Sequence, residues 1–177
     1  MAARNRALGS LAAGALILAA ALFAAGPPGP QDQVPAPPAA PLEKTVAVGG
    51  DAGWVDTAID VSAGDTLHFT ATGEIDLQRG NPEAVCGPGG IDLITIDQPV
   101  PNANLGTLIG KLAQTVAKRV DEDSKIETTD EIFVLFVVGA EGTFTASFKG
   151  RIYLGVNENV LKDNGGAFSV VIVRRPA

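Results

Sequence analysis

The residues best suited to chemistry lie near the carboxyl end of the chain, in a polar stretch between two apolar ones. Residues 152–156 and 167–173 are apolar and prone to extended structure, which predicts a strand–loop–strand unit. Between them, eight positions hold five oxygen-bearing side chains: Asn157, Glu158, Asn159, Asp163 and Asn164. Ca²⁺ takes about 6–8 oxygen ligands from carboxylates, amides and backbone carbonyls. The loop is therefore a candidate cation site.

The same loop also has a simpler interpretation as turn chemistry. Asn, Asp and Gly are common turn residues, and the dipeptide Asn164-Gly165 is a turn signal by itself. The spacing D-x-[DN]-x-[DN]-G of an EF-hand is absent from the sequence. Residue types alone leave both interpretations open.

Short strands would have to position this loop. Apolar residues alternate with polar ones through 55–61 and 67–71, the pattern of half-buried strands. Residues 131–139 are apolar on both faces and are predicted to be a buried strand. The charged segment 113–130 is expected to form an exposed hairpin extension or a short helix. Residues 78–104 are irregular and rich in Gly and Pro. About eight short strands with turn signals between them predict an all-β fold, an antiparallel β-sandwich or jelly roll.

Charge and composition exclude several classes of function. The net charge is −7, and removal of Arg4 and Arg6 with the amino-terminal leader leaves 11 basic and 20 acidic residues, a net charge of −9. We therefore expect no nucleic-acid partner, because phosphate neutralisation needs a basic surface. His68 is the only histidine, which excludes a histidine-rich zinc site. Cys86 is the only cysteine, so no internal disulfide forms, and we expect the thiol to be buried.

The amino-terminal part of the chain has the pattern of an export signal followed by a tether. Arg4 and Arg6 precede an apolar run of 19 residues, close to the ~20 that cross a bilayer. Residues 1–25 are thus either a signal peptide or an N-terminal membrane anchor, and both alternatives predict an exported body. Seven prolines make residues 26–42 a Pro-rich linker. Residues 43–177 form the predicted domain, which is periplasmic, secreted or anchored to the envelope.

Four groups of residues, in this order, resemble a known family. They are Trp54-x-x-Thr57-x-Ile59-Asp60-Val61-x-Ala63-Gly64-Asp65, then Leu108-Ile109-Gly110-Lys111, then Phe136-Val137-Val138-Gly139, and finally Tyr153-Leu154-Gly155-Val156-Asn157-Glu158-Asn159 with Asp163-Asn164-Gly165-Gly166-Ala167-Phe168. Together they resemble the PA-IL-like galactophilic bacterial lectins, a branch of the galactose-binding-domain-like jelly rolls. The resemblance extends over nearly all of residues 43–177.

The resemblance implies a Ca²⁺ site and a set of ligands. The metal ligands would be the side chains of Glu158, Asp163 and Asn164 and the backbone carbonyls of Leu161, or its neighbour Val160, and Leu77. Glu158 stands where the family has a shorter aspartate. In the family, sugar hydroxyls complete the coordination of the metal. The sugar-binding residues are accordingly expected to be Asp163 and Asn164. Apart from the resemblance, the polar side chains of Asp97 and Asn104 in the irregular segment are candidates for hydrogen bonds with sugar hydroxyls.

Two functions follow as hypotheses. The first is an exported, Ca²⁺-dependent carbohydrate-binding module with galactoside-like ligands, in which weak single sites gain avidity from several copies. The alternative is a non-enzymatic structural or interaction module of the cell envelope, in which the loop is only a turn or a structural metal clip. We expect no enzyme activity. The sequence contains no nucleophile elbow or phosphate loop, and a glycosidase would need a close carboxylate pair that spacing does not indicate.

Overall fold

The computed structural model describes residues 41–96, 98–120 and 127–177. The predicted leader, nearly all of the predicted linker and Asp97 lie outside these ranges. Within them, no helix is long and apolar enough to cross a membrane.

Nine β-strands and one 3₁₀ turn make up this part of the chain. The strands are β1 (Leu42–Gly49), β2 (Val55–Val61), β3 (Thr66–Asp76), β4 (Val85–Cys86), β5 (Leu108–Val120), β6 (Glu127–Val137), β7 (Glu141–Thr145), β8 (Gly150–Val156) and β9 (Gly165–Arg175), and the 3₁₀ turn is Pro82–Ala84. All the strand pairs are antiparallel. The prediction of an all-β, antiparallel two-sheet fold is confirmed.

The strands form two sheets that enclose one apolar core. The first sheet has the order β1-β9-β3-β4. Strand β7 also belongs to it, because it pairs with the amino-terminal half of β3, on the same edge of β3 that pairs with β4. The second sheet has the order β2-β8-β5-β6. The predicted alternation holds, because the inward side chains of β2 and β3 are buried. The largest fully buried side chains come from both sheets: Val48, Ile59, Leu67, Ile75, Leu108, Ile109, Leu112, Ile152, Leu154, Phe168, Val170 and Ile172.

The prediction that residues 131–139 form a buried strand is wrong about the burial of that strand. The segment belongs to β6, which pairs only with β5 and forms an edge of the second sheet. Residues Val134 to Phe136 are half-buried, whereas Ile132 and Phe133 are exposed, Phe133 to 58%. Apolar residues on both faces usually indicate a covered central strand. Here no described element covers the outer face of the strand.

The described parts of the charged segment, residues 113–120 and 127–130, belong to two paired strands and not to a helix. β5 continues to Val120 and pairs with β6 beyond the point where its pairing with β8 ends at Ala113. Closer to the core, Gly110 lies opposite Phe136, whose ring stacks on Phe144 with 3.8 Å between ring centres. A Cβ on Gly110 would lie 2.2 Å from the Phe136 ring, so glycine is required there by close approach.

Candidate functional site

The strand register places the oxygen-rich loop at one end of the sandwich, where it crosses between the sheets. Val156, the last residue of β8, lies opposite Leu108 in the second sheet. Gly165, the first residue of β9, lies opposite Asp76 in the first sheet. Residues 157–164 therefore connect the two sheets and end beside Leu77. The contact between this loop and the end of β3 arises from strand pairing and does not depend on the loop sequence.

Asn157 holds a neighbouring loop in place and is fully buried. Its Oδ1 accepts a hydrogen bond from the backbone N–H of Val100 at 2.8 Å. Its Nδ2 donates to the carbonyls of Val100 and Asn104 at 3.1 Å each, and to that of Ala103 at 3.4 Å. The amide oxygen of Asn157 is thus already used by the backbone, so this residue is a structural clamp.

Glu158 and Asn164 meet directly at the ends of the remaining loop. The Nδ2 of Asn164 donates to Glu158 Oε2 at 2.9 Å and to the carbonyl of Gly50 at 3.0 Å. Asn164 is fully buried, and its Oδ1 has no hydrogen-bond partner among the described residues. A buried amide oxygen without a donor costs about 1–3 kcal/mol. This oxygen therefore marks the place where a ligand would be stabilising.

Asp163 and Leu77 complete the surroundings of Glu158. All three line a cavity of about 400 Å³, here called the Leu77 cavity, whose wall also includes Glu83 and Leu105. The carbonyl of Asp163 accepts a hydrogen bond from the backbone N–H of Arg79 at 2.9 Å, while its side chain is exposed. The carboxylates of Glu158 and Asp163 thus line one cavity together with that of Glu83, and among the described residues none of the three forms a salt bridge.

The electrostatics of this cavity favour a cation. Burial raises the pKa of the Glu158 carboxyl, the hydrogen bond from Asn164 offsets part of the rise, and the negative charge of Asp163 adds to it. Burial, followed by the charge of Glu158, also raises the pKa of the Cys86 thiol to about 11. The raised pKa of Glu158 indicates that its negative charge is costly as the protein stands. A bound cation would remove this cost.

The available donors fit a hard cation better than a transition metal. The candidate donors are two carboxylates, the unpartnered amide oxygen of Asn164 and nearby backbone carbonyls, all of them oxygen atoms. Such a set suits Ca²⁺. Within the ranges that the structure describes, no three His, Cys, Asp or Glu side chains cluster in a way that could hold a metal. Any site here therefore relies on amide and carbonyl oxygens in addition to the two acids.

The predicted site residues differ in where the structure places them. Leu161 lies on a second, smaller cavity that also contains Glu158, and its carbonyl accepts the backbone N–H of Asn164 at 3.2 Å. The other four predicted metal residues therefore lie around the Glu158 carboxylate, and the role of all five as ligands stays a prediction. Asn104 directs its amide to the carbonyl of Gly89 at 3.3 Å and lines neither cavity. Its contact with sugar also stays a prediction, while Asp97 lies outside the described residues.

Sequence reasoning missed two features of this region. Trp54 was noted only as the first residue of the family resemblance, although it precedes β2 and forms a wall of the smaller cavity. Gln98 was not singled out, although it is buried and its Nε2 donates to the carbonyls of Val100, Pro101 and Ala103. The signal that could have indicated Trp54 was a single tryptophan directly before a strand. Nothing in the local sequence pattern indicated the second.

Fold and site together define a class: an antiparallel two-sheet β-module with an acidic, oxygen-lined cavity where the sheets are joined. No protein-family model matches the chain, and no curated protein matches it. Among solved structures, the chain is similar to the EclA N-terminal domain, described as a PllA-like lectin. The two share 18% sequence identity with a TM-score of 0.48, over 74% of this chain and 95% of that chain. An identity this low does not carry residue roles from one protein to the other.

Proposed function

We propose that this chain is an exported, Ca²⁺-dependent carbohydrate-binding module without enzyme activity, built on a galactose-binding-domain-like jelly roll. The observation that supports it is the buried Asn164 Oδ1, which has no hydrogen-bond partner in the part of the chain that the structure describes and belongs to the residue that holds Glu158. Glu158, Asp163 and Asn164 would hold the metal, with the carbonyls of Leu77 and Leu161. When bound, Ca²⁺ supplies coordination positions that sugar hydroxyls complete in place of water.

The residues of the chain contribute orientation and charge to this function. Asn164 is fixed by the carbonyl of Gly50 and directs its Nδ2 at Glu158, which sets the position of that carboxylate. Asp163 is exposed at the mouth of the Leu77 cavity and can accept hydrogen bonds from sugar hydroxyls. A neutral, hydroxyl-rich ligand such as a galactoside suits this mixture of carboxylates and apolar wall.

The proposed location follows from the leader and the charge. A signal peptide or single-span anchor at residues 1–25, followed by a Pro-rich linker, would present the module outside the cytoplasm at some distance from a membrane. The net charge of −7 opposes binding to nucleic acids and suits binding of a cation. We therefore propose surface or periplasmic glycans as partners.

Calorimetry with galactosides, followed by a glycan array, tests the proposal in Ca²⁺ and in EDTA. We expect binding that Ca²⁺ supports and EDTA abolishes. Asn164→Leu, which removes the buried oxygen, should abolish the Ca²⁺-dependent part, whereas Asn102→Leu on an exposed loop should not. Asp163→Asn offers the same test at an exposed position, should Asn164→Leu fail to fold. If neither calorimetry nor the glycan array detects binding, in Ca²⁺ or in EDTA, the proposal is rejected.

A second candidate function, an interaction module, is favoured by the exposed strand β6. Its outer face presents Phe133 and Val137 to solvent at a sheet edge with which no described strand pairs, so another strand can add there. Its acidic residues, Glu127, Asp130 and Glu131, occupy the first half of the strand, and the apolar residues occupy the second. Antiparallel pairing of two copies across the second half would put apolar side chains together and keep the acids of the two copies apart. The proposed occupant is therefore a second copy of this chain.

Sedimentation velocity over a range of concentrations tests this homodimer. The wild type should dimerise and Phe133→Lys should be monomeric. Val85→Lys, at an exposed apolar position of the first sheet, should behave like the wild type. A monomeric wild type at high concentration would exclude the second copy as the occupant of this edge. A dimer would also provide two sugar sites and so avidity for a multivalent glycan.

A further inference from the structure

Trp54, the only tryptophan of the chain, lies outside the sandwich core. It precedes β2 and is 38% exposed. Its ring packs against the backbone of Gly155 in β8, because a Cβ on Gly155 would lie 3.1 Å from Cε3 of the ring. Glycine at this position thus allows the indole to lie close against the strand.

The ring is held in a fixed orientation by its neighbours. The Nζ of Lys111 lies 5.2 Å from the centre of the Trp54 ring and 4.8 Å from that of Tyr153, within the range of cation–π attraction. Lys111 is itself held by Glu131, with 3.7 Å between Nζ and Oε2. An aromatic ring fixed before a ligand arrives loses little conformational entropy on binding.

Trp54 forms a wall of a cavity that includes Glu158. This Trp54 cavity, of about 150 Å³, has an apolar side made by Trp54, Pro99 and Leu161 and a polar side made by Glu158 and Asn159. Glu158 also lines the Leu77 cavity, so the two cavities adjoin at this residue. A ligand that begins on the Leu77 side can therefore extend onto the indole ring.

The chemistry of the Trp54 cavity selects the class of ligand. A purely apolar group would bury the Glu158 carboxylate without a partner, which is costly. A cationic group would meet the positive charge of Lys111, which already lies at the ring. A sugar ring avoids both problems, because it is neutral, offers C–H groups to an aromatic face and directs hydroxyls at carboxylate and amide oxygens.

We propose that Trp54 is the stacking platform for a second sugar residue, so that the module recognises an oligosaccharide and not a single sugar. This proposal rests on the proposed function, because the first residue would occupy the side of Glu158 that faces Asp163. The contribution expected from stacking on a fixed indole is about tenfold in affinity. The module should consequently prefer linked galactosides to free galactose.

Tryptophan fluorescence gives a direct test, because all of the emission comes from Trp54. The wild type is titrated with galactose, lactose and melibiose in Ca²⁺, and the binding of each sugar is also measured by calorimetry. At least one of the disaccharides should change the emission and bind about tenfold more tightly than galactose. In Trp54→Ala the ratio of disaccharide to galactose affinity should fall to about one. Trp54→Phe, which keeps an aromatic face, should retain a preference, and Leu42→Ala, at a comparably exposed apolar residue, should leave the ratio unchanged.

The outcomes separate this proposal from the one on which it rests. Ca²⁺-dependent galactose binding with equal disaccharide affinity, or a preference that survives Trp54→Ala, would overturn the platform and leave the carbohydrate function intact. If no sugar binds to the wild type, both proposals fail. If Trp54→Ala does not fold, the comparison of Trp54→Phe with Trp54→Leu decides, since only the aromatic side chain should preserve the preference.

Discussion

Replacement of Glu158 by glutamine should have opposite effects with and without metal. Glutamine has nearly the same shape and keeps an oxygen to accept the hydrogen bond from Asn164, but it removes a half-buried negative charge beside Asp163. Because the folded-state pKa of Glu158 is raised, the folded protein favours the protonated carboxyl. Its stabilising contribution is complete below the unfolded-state value of 4.5 and is lost as the pH rises through the folded-state pKa. Metal-free Glu158→Gln should therefore be more stable than the wild type at neutral pH, with a difference that shrinks towards pH 4.

Added Ca²⁺ should reverse this order. A metal at a hundred times its Kd stabilises the wild type by ~2.7 kcal/mol. At ~2–4 °C per kcal/mol, this corresponds to a rise in Tm of about 5–10 °C. If the substitution weakens binding about a hundredfold, the same concentration stabilises Glu158→Gln by only ~0.4 kcal/mol. The wild type gains most because the cation removes the cost of a charge that the variant no longer carries.

Thermal unfolding followed by circular dichroism between pH 4 and pH 8, in EDTA and in Ca²⁺, measures both effects. Glu83→Gln is the matched control, because Glu83 is an exposed acid on the same cavity and should leave the response to Ca²⁺ intact. The reasoning fails if metal-free Glu158→Gln is less stable than the wild type at neutral pH. It also fails if Ca²⁺ raises the Tm of both proteins equally.

Three further predictions concern the scaffold. Ala58 lies at the β-bulge of β2 with a φ of +53°. Ala58→Gly should therefore raise the free energy of unfolding, measured by chemical denaturation, by about 0.5–1 kcal/mol. The control Ala47→Gly, in the regular strand β1, should lower the free energy of unfolding by a similar amount. Gly110→Ala should destabilise by about 1–3 kcal/mol in the same assay, because the new methyl group overlaps the Phe136 ring. Burial raises the pKa of the Cys86 thiol from 9.0 to about 11. At pH 8 the thiol should therefore react with iodoacetamide about a hundredfold more slowly in the native than in the unfolded protein. Equal rates would contradict its burial.

The sheet scaffold was predictable because its signal is local. Alternation through residues 55–61 and 67–71 determines which face of each strand is buried, and the structure agrees at both. The burial of Cys86 was likewise expected from its apolar character and is confirmed. The error at β6 has the opposite cause. Apolar content does not distinguish a central strand from an edge strand, because that depends on which strands pair with it.

The site was predictable only in part, because its geometry depends on contacts distant in sequence. The oxygen-rich loop was visible as a cluster of polar residues, but its contact with Leu77 follows from the pairing of Asp76 with Gly165. Residue type could not show that the side-chain oxygen of Asn157 accepts a backbone hydrogen bond, while that of Asn164 has no partner among the residues described. Trp54 was overlooked for the same reason, since its cavity includes residues more than 100 positions away.

The clamp formed by Asn157 has an evolutionary consequence for the loop that it holds. Every hydrogen bond from its side chain goes to main-chain atoms, at Val100, Ala103 and Asn104. Main-chain groups are the same whatever residue occupies a position, so side chains along this segment can be exchanged without loss of anchorage. Selection, or directed evolution, could therefore exchange side chains of the loop around Pro99, and with them the glycan preference proposed above, while the β-scaffold and the acidic cavity stay as they are.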